Sequence, residues 1–179
     1  KLLESDIHVE NQKAAGLPTR DAAKRFIYAF LYGAGDAKIG EVIGKGRAAG
    51  RSIKETFLSS LPALAKLKAC ITGALADRDF LKGLDGRHLY IRSEHSALNT
   101  LLQSAGAVIM KQATVELYDS LTKLGLKHGS DWAFVAHVHD EFQMEVRPQH
   151  TEVIRAAAVE AIKQAGKDLK LLCPMEVHQ

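Results

Sequence analysis

What this sequence has little of excludes several broad classes at once. Cysteine occurs twice in 179 residues, at Cys70 and Cys173, far apart and in no C-x-x-C pair. That usage supports neither a disulfide framework nor a zinc ribbon and points to a reducing compartment. Apolar runs extend only a few residues, far short of the roughly 20 that cross a bilayer, so no membrane partner is expected. No basic segment followed by an apolar one opens the chain, so a secretory signal is not expected either. Internal repeats and low-complexity linkers are also missing. Charge of one sign is scarce: 24 Lys+Arg against 21 Asp+Glu leave a formal +3, which permits a polyanionic partner without demanding one. The chain begins at Lys1 rather than at methionine, in helix-compatible sequence, as a piece of a longer protein would.

What is present has globular balance, with 46% hydrophobic and 25% charged residues. The length fits one ordinary domain that buries roughly 70% of its unfolded surface. Pro18 and Thr19 open a segment in which Ala23, Phe26, Ile27, Phe30, Leu31 and Ala34 recur at helical spacing until Gly33 and Gly35 stop it. This predicts a capped amphipathic helix over 19–34. A short helix is expected over 36–43, a turn over 44–50 and one longer helix over 51–75. Asp85-Gly86 between short apolar stretches predicts a β-hairpin within 80–92. A long helix follows over 96–124. The segments 133–138 and 141–146 alternate like two strands, with His139-Asp140 at the bend. A helix over 150–166 and a strand-like 171–173 complete an α+β chain, helix-dominated, with a small antiparallel sheet.

On the first helix Arg20, Lys24, Tyr28 and Tyr32 stand at four-residue spacing. Such a row drifts ~40° per step over ~18 Å of axis. Tyr28 and Tyr32 fall about 130° and about 170° from the centre of the apolar stripe, away from the core. Two cations near a helix N-terminus suit a polyphosphate, and the rings beyond them suit a sugar and a base. Core packing is the plainer reading of two helical tyrosines, and the spacing argues against it.

The run from Arg20 to Gly33 resembles motif B of the family A DNA polymerases, an Arg, a Lys four residues on, an aromatic and a terminal Tyr-Gly. The likeness is nearest to the replicative polymerases of T7-like phages, which share Thr-Arg-Asp before the Lys and Phe-Leu-Tyr-Gly-Ala-Gly-Asp after it. The resemblance implies that Arg20 holds the terminal phosphate of an incoming dNTP and that Tyr28 lies against its sugar. It implies that Lys24 binds the phosphates and donates a proton to the leaving pyrophosphate, a role open to a lysine at neutral pH. Tyr32 is implied to stack near the template base. Asp6-Ile7-His8 matches the family upstream of motif B, where the phage-type histidine helps bind the triphosphate; read alone, His8 is an ordinary surface histidine.

His139-Asp140-Glu141 at a strand–turn–strand resembles motif C of the same family. Adjacent acids at a bend cannot share one strand face. Asp140 is the implied Mg2+ ligand, Glu141 a weaker or outer one, and His139 an implied contact to the primer–template. Without the family, His137, His139 and Glu141 could imitate a transition-metal site, and a solvated turn is the other reading. Two-metal phosphoryl transfer needs bridging carboxylates ~3.5–4 Å from one ion to the other. By the resemblance the partner aspartate belongs to motif A, which falls before Lys1, so this chain is expected to encode only part of the two-metal site.

His95, Asn99 and Gln103 make a polar row on the long helix. Amides can test base-pair geometry through the minor-groove acceptors that every pair presents, although a polar row also marks an ordinary solvated face. The run Asn99 to Ala107 resembles the family helix that senses the primer–template, and many bacterial relatives have Arg where His95 stands. Arg87 and Arg92 are candidate phosphate contacts by charge. Gly44 to Gly50 lacks the preceding strand and the Gly-Lys-Ser/Thr of a P-loop, and reads as a helix connection.

The resemblance covers about 5–178 and implies a fingers region over 1–82 and a palm portion over 83–179. These contain the motif B helix (19–34), the sensing helix (95–124) and the motif C hairpin (133–146). Implied partners are a DNA primer–template, a dNTP and the N-terminal remainder of a polymerase, acting in the host cytoplasm. The alternatives are a nucleotide- or DNA-binding fragment without activity alone, half of a split polymerase, a single-subunit RNA polymerase, and a zinc hydrolase at His137/His139.

Overall fold

The computed structural model describes residues 6–177. The chain divides into two compact units rather than the single one suggested by its length. One takes the chain up to Gly83 together with His88–Leu102; the other takes Leu84–Arg87 and everything from Gln103 onward.

Among the described residues, the first unit contains α1 (Ile7–Ala15), α2 (Arg20–Leu31), α3 (Asp36–Val42), α4 (Arg47–Ser60), α5 (Pro62–Asp77) and a hairpin of β1 (Phe80–Lys82) and β2 (His88–Tyr90). Asp6 caps α1 by accepting the His8 amide, and Thr19 caps α2 by accepting the Ala22 amide at 3.1 Å. The predicted stripe on α2 is the buried one: Ala23 and Phe26 are fully buried and Phe30 nearly so. Phe26, Phe30 and Phe57 of α4 form an edge-on aromatic centre, with Phe57 5.1 and 5.3 Å from the other two rings.

The helix expected over 51–75 is two helices. Pro62 fixes its own φ and disfavours helical geometry at Leu61, which takes φ −129° and ψ 72°, so α4 ends and α5 restarts with Pro62 in its first turn. At the other end the turn expected over 44–50 is shorter, because extended Gly46 caps a helix that already begins at Arg47. The helix α1 was not separated from the general helix-compatible character of the N-terminal sequence. Asp85-Gly86 does turn the β1–β2 hairpin, with Gly86 at φ +83°.

A short 3₁₀ turn at Glu94–Ser96 leads into α6 (Ala97–Lys123), which begins in the first unit and continues into the second. The second unit adds β3 (Trp132–Val138), β4 (Glu141–Val146) and α7 (Thr151–Asp168). The two strands pair antiparallel, with an irregularity between Phe134 and Ala136 that leaves Val135 exposed. Trp132, Leu117, Leu121, Ile154 and Ala161 make its core, flanked by Phe134, Phe142 and Met144. Residues 171–173 are not a strand: α7 ends at Asp168 with Leu169 as its C-cap, Lys170 turns at φ +55°, and Leu172 is exposed. Leu171-Leu172-Cys173 is a short apolar run without alternation, and it joins neither two-stranded sheet. Both cysteines are free and exposed. No helix among the described residues is long and apolar enough to cross a membrane.

Candidate functional site

Burial of Ala22, Ala23, Phe26 and Phe30 turns the opposite side of α2 to solvent, and that side carries the Arg20, Lys24, Tyr28, Tyr32 row. Tyr28 is 52% and Tyr32 62% exposed, so neither ring is spent on the core. Lys24 is exposed and makes no ion pair with any described residue. Arg20 is held from α1: its Nε donates to Asp6 Oδ2 at 2.8 Å and its Nη2 reaches the same oxygen at 2.7 Å. His8, on the first turn of α1, places its ring 6.5 Å from that of Tyr28, and its Nδ1 is buried without a hydrogen-bond partner. The structure thus gathers His8, Arg20 and Tyr28 where α1 meets α2.

The Arg20 guanidinium beside Asp6 holds the Asp6 carboxyl below the usual aspartate range, and the His8 amide adds to the effect. A depressed carboxyl favours the folded state above its unfolded value, and the contribution is lost as pH falls through the folded one. Arg20→Ala is expected to raise the Asp6 pKa toward the ordinary value of about 3.9, read by carboxyl NMR. An unchanged Asp6 titration would mean the pair does not form in solution.

Gly33 ends α2 at φ +78°, and a Cβ there would run into the backbone carbonyl of His95. Only glycine meets both conditions, and the contact sets His95 against the Tyr32-Gly33 end of the helix. Gly33→Ala is expected to cost at least about 2 kcal/mol, from the left-handed conformation and the displaced carbonyl together. Chemical denaturation measures it, and a loss below about 0.5 kcal/mol would contradict the close approach. A cleft of 290 Å³ opens here, lined by Gly33, Gly35, Lys54, Lys68, Thr72, Glu94 and His95 among others. Lys54 pairs with Asp36 at 2.8 Å and Thr72 donates to Glu94 at 3.0 Å. The Lys68 ammonium lies 5.2 Å from the Phe30 ring centre, and burial, aided by Lys54, pulls its pKa below the usual lysine value.

The polar row proposed on the long helix is altered at its start. His95 lies in the 3₁₀ turn, where Ser96 Oγ donates to the Ser93 carbonyl, so the α-helical spacing begins only at Ala97. Asn99 is half-buried, while His95, Arg92 and Gln103 are exposed. Arg87 is committed to Asp85 across the hairpin turn through a 2.6 Å ion pair. That pair lowers the Asp85 carboxyl from its usual value and raises the Arg87 guanidinium.

In the second unit the β3–β4 bend is a two-residue turn. His137 pairs with Phe142 and Val138 with Glu141, leaving His139, at φ +54°, and Asp140 as the connection. Asp140 and Glu141 are exposed and line one end of an 800 Å³ groove, continued by Phe142, Met144, Ile154 and Ile162. His137 and Glu141 sit on different strands, and no group of three His, Cys, Asp or Glu among the described residues could hold a metal ion. That removes the geometric basis of the zinc reading. Asp6 and Lys68 were missed by sequence reasoning: the N-cap position of Asp6 was the available signal, and nothing local marks Lys68.

The exposed cation–aromatic row lies on capped α2, and the adjacent acids lie at the separate β3–β4 bend. Residues 4–179 match DNA polymerase family A, and the chain belongs to that family. It is 44% identical to the DNA-directed DNA polymerase of Escherichia phage T7 over 99% of this chain, and 42% identical to that of Enterobacteria phage T3 over the same share. The chain spans 28% of the length of each of these relatives. Among solved structures, the POL domain of Pol1 from M. smegmatis, in complex with DNA primer-template and dNTP, superposes with a TM-score of 0.79. The identity is 18%, over 91% of this chain and 32% of that one. At that identity the likeness bears on the fold.

Proposed function

We propose that this chain is the nucleotide-gripping and C-terminal catalytic portion of a DNA-directed DNA polymerase, acting in the host cytoplasm on a primer–template. In this reading residues 1–82 belong to the fingers and 83–179 to the palm. The observation that carries it is the exposed Arg20, Lys24, Tyr28 row, turned away from a fully used core stripe in a chain of this family. Arg20, steadied by Asp6, meets the terminal phosphate of a dNTP; Lys24 neutralises the phosphates and protonates the departing pyrophosphate; Tyr28 packs on the sugar; and His8 adds a donor to the triphosphate. Tyr32, His95, Asn99, Gln103, His139 and Arg92 contact the primer–template.

Family members use divalent metal ions, generally Mg2+. The donor chemistry of Asp140 fits, since Mg2+ takes one or two protein carboxylates and fills its shell with water and phosphate oxygens. Asp140 would hold the ion with Glu141 as a weaker support, and the ion when bound neutralises phosphate charge and activates the primer hydroxyl. By the family resemblance, the bridging carboxylate is supplied from elsewhere in the polymerase. Substrate specificity for dNTP over rNTP is assigned to the packing of Tyr28 against the sugar.

Titration of the chain with Mg2+ and dNTP, followed by NMR, is expected to shift Arg20, Lys24 and Tyr28 resonances while the chain alone extends no primer. Absence of the shifts would overturn the nucleotide grip. Robust extension by the chain alone would overturn the need for an outside carboxylate.

A further inference from the structure

The outer face of the β1–β2 hairpin has no part in the nucleotide and metal sites above. Phe80 pairs with Tyr90 and Lys82 with His88. Alternation sends Leu81 inward, where it is 5% exposed, and Leu89 and Ile91 also pack against the core of the first unit. The same alternation puts Phe80, Lys82, His88 and Tyr90 on the other face, and Arg78, extended at the end of α5, joins them. The Phe80 and His88 rings stack at 3.9 Å and 21°, the Arg78 guanidinium lies 5.1 Å from the Phe80 centre, and the Tyr90 ring stands 6.1 Å from Phe80. Phe80 thus serves as a base that holds a guanidinium and an imidazole in place, beside a tyrosine that is 68% exposed.

Among the described residues, the strand positions of this face carry no carboxylate, and Asp77 closes α5 beside Arg78. Asp79, between Arg78 and Phe80, falls on the opposite side of the alternation, and Asp85 is held by Arg87. Planar groups fixed in water beside cations match what an unpaired strand offers, which is base faces for stacking and phosphates for charge. A duplex hides its base faces, and an acidic peptide would use the cations but leave the planar groups without a partner. We propose that this face binds single-stranded nucleic acid without sequence preference, taking the unpaired template strand. The name of the strand rests on the polymerase reading; the binding itself does not.

The test titrates the 179-residue chain against fluorescein-labelled oligothymidylate by anisotropy. A variant carrying Lys82→Ala, His88→Ala and Tyr90→Ala is compared, with circular dichroism melting to show that both fold. If the triple variant does not fold, Tyr90→Ala and Lys82→Ala singly make the same comparison. Expected are at least about tenfold weaker binding by the triple variant and a log–log salt slope that is shallower by about 0.7 for each phosphate no longer neutralised. The dNTP-dependent shifts at Arg20 and Lys24 stay unchanged. Three results overturn the proposal: no binding by the parent chain, equal binding by a folded variant, or competition by polyglutamate as effective as by unlabelled oligothymidylate, which would assign the face to an acidic protein. Weaker strand binding by the variant, with no dNTP shifts even in the parent chain, would support the hairpin proposal while overturning the nucleotide grip.

Discussion

Replacing Asp140 with Ala, in a complete polymerase carrying this segment, is expected to lower primer extension about a thousandfold or more while leaving DNA affinity nearly unchanged. The size follows from what a bound metal contributes. Neutralising the phosphoryl oxygens and orienting the attacking hydroxyl supply several kcal/mol of transition-state stabilisation, and ~1.4 kcal/mol is a factor of ten in rate. Asp140 is the acid at the tip of the β3–β4 bend, while Glu141 is already in the ladder opposite Val138. Glu141→Gln is therefore expected to cost much less, about tenfold. Both variants are compared with the parent under single-turnover conditions, with gel shifts reporting DNA binding. Synthesis by Asp140→Ala above about one-twentieth of the parent rate would refute the metal role.

Lys24→Ala is expected to slow the chemical step by about 10²- to 10⁴-fold, the usual range for removing a positioned general acid. Its place on α2 makes this specific. The side chain is exposed and without an ion pair among the described residues, so its removal leaves no buried carboxylate stranded and no cavity behind. Melting temperature should stay close to that of the parent, and DNA affinity should fall far less than the rate. Lys24→Arg separates charge from proton donation. A guanidinium retains its proton across the accessible pH range, so it should restore much of the dNTP affinity but little of the rate. If the arginine variant regained the full rate, Lys24 would be a phosphate-binding charge and not the proton donor.

The parts of this fold that were legible in the sequence are those set by contacts within a turn or two of helix. Thr19 and the Ala23, Phe26, Phe30 stripe specify α2, because a cap and a 3.6-residue period are properties of one segment. The exposed side of that helix followed by geometry, and with it the row Arg20, Lys24, Tyr28, Tyr32. The Asp85-Gly86 hairpin and the His139-Asp140 bend were readable for the same reason, since two-residue connections carry their own backbone chemistry. Where the reading failed, a neighbouring residue overrode the period. Pro62 divides an otherwise continuous helical pattern at Leu61, and the turn at Ser93 to Ser96 removes His95 from the α-helical row.

By itself, the sequence determined the cations and rings of α2, the acids of the bend and the family to which both belong. Tertiary structure alone decided which groups reach them. Asp6 holds Arg20 across 14 residues of chain, the His95 carbonyl lies against Gly33, and Arg78, Phe80 and His88 stack only because β1 and β2 pair in one register. Such contacts join segments whose local preferences are silent about each other. They form when burial of the shared core, around Phe26, Phe30 and Phe57, offsets the entropy of closing the intervening loops.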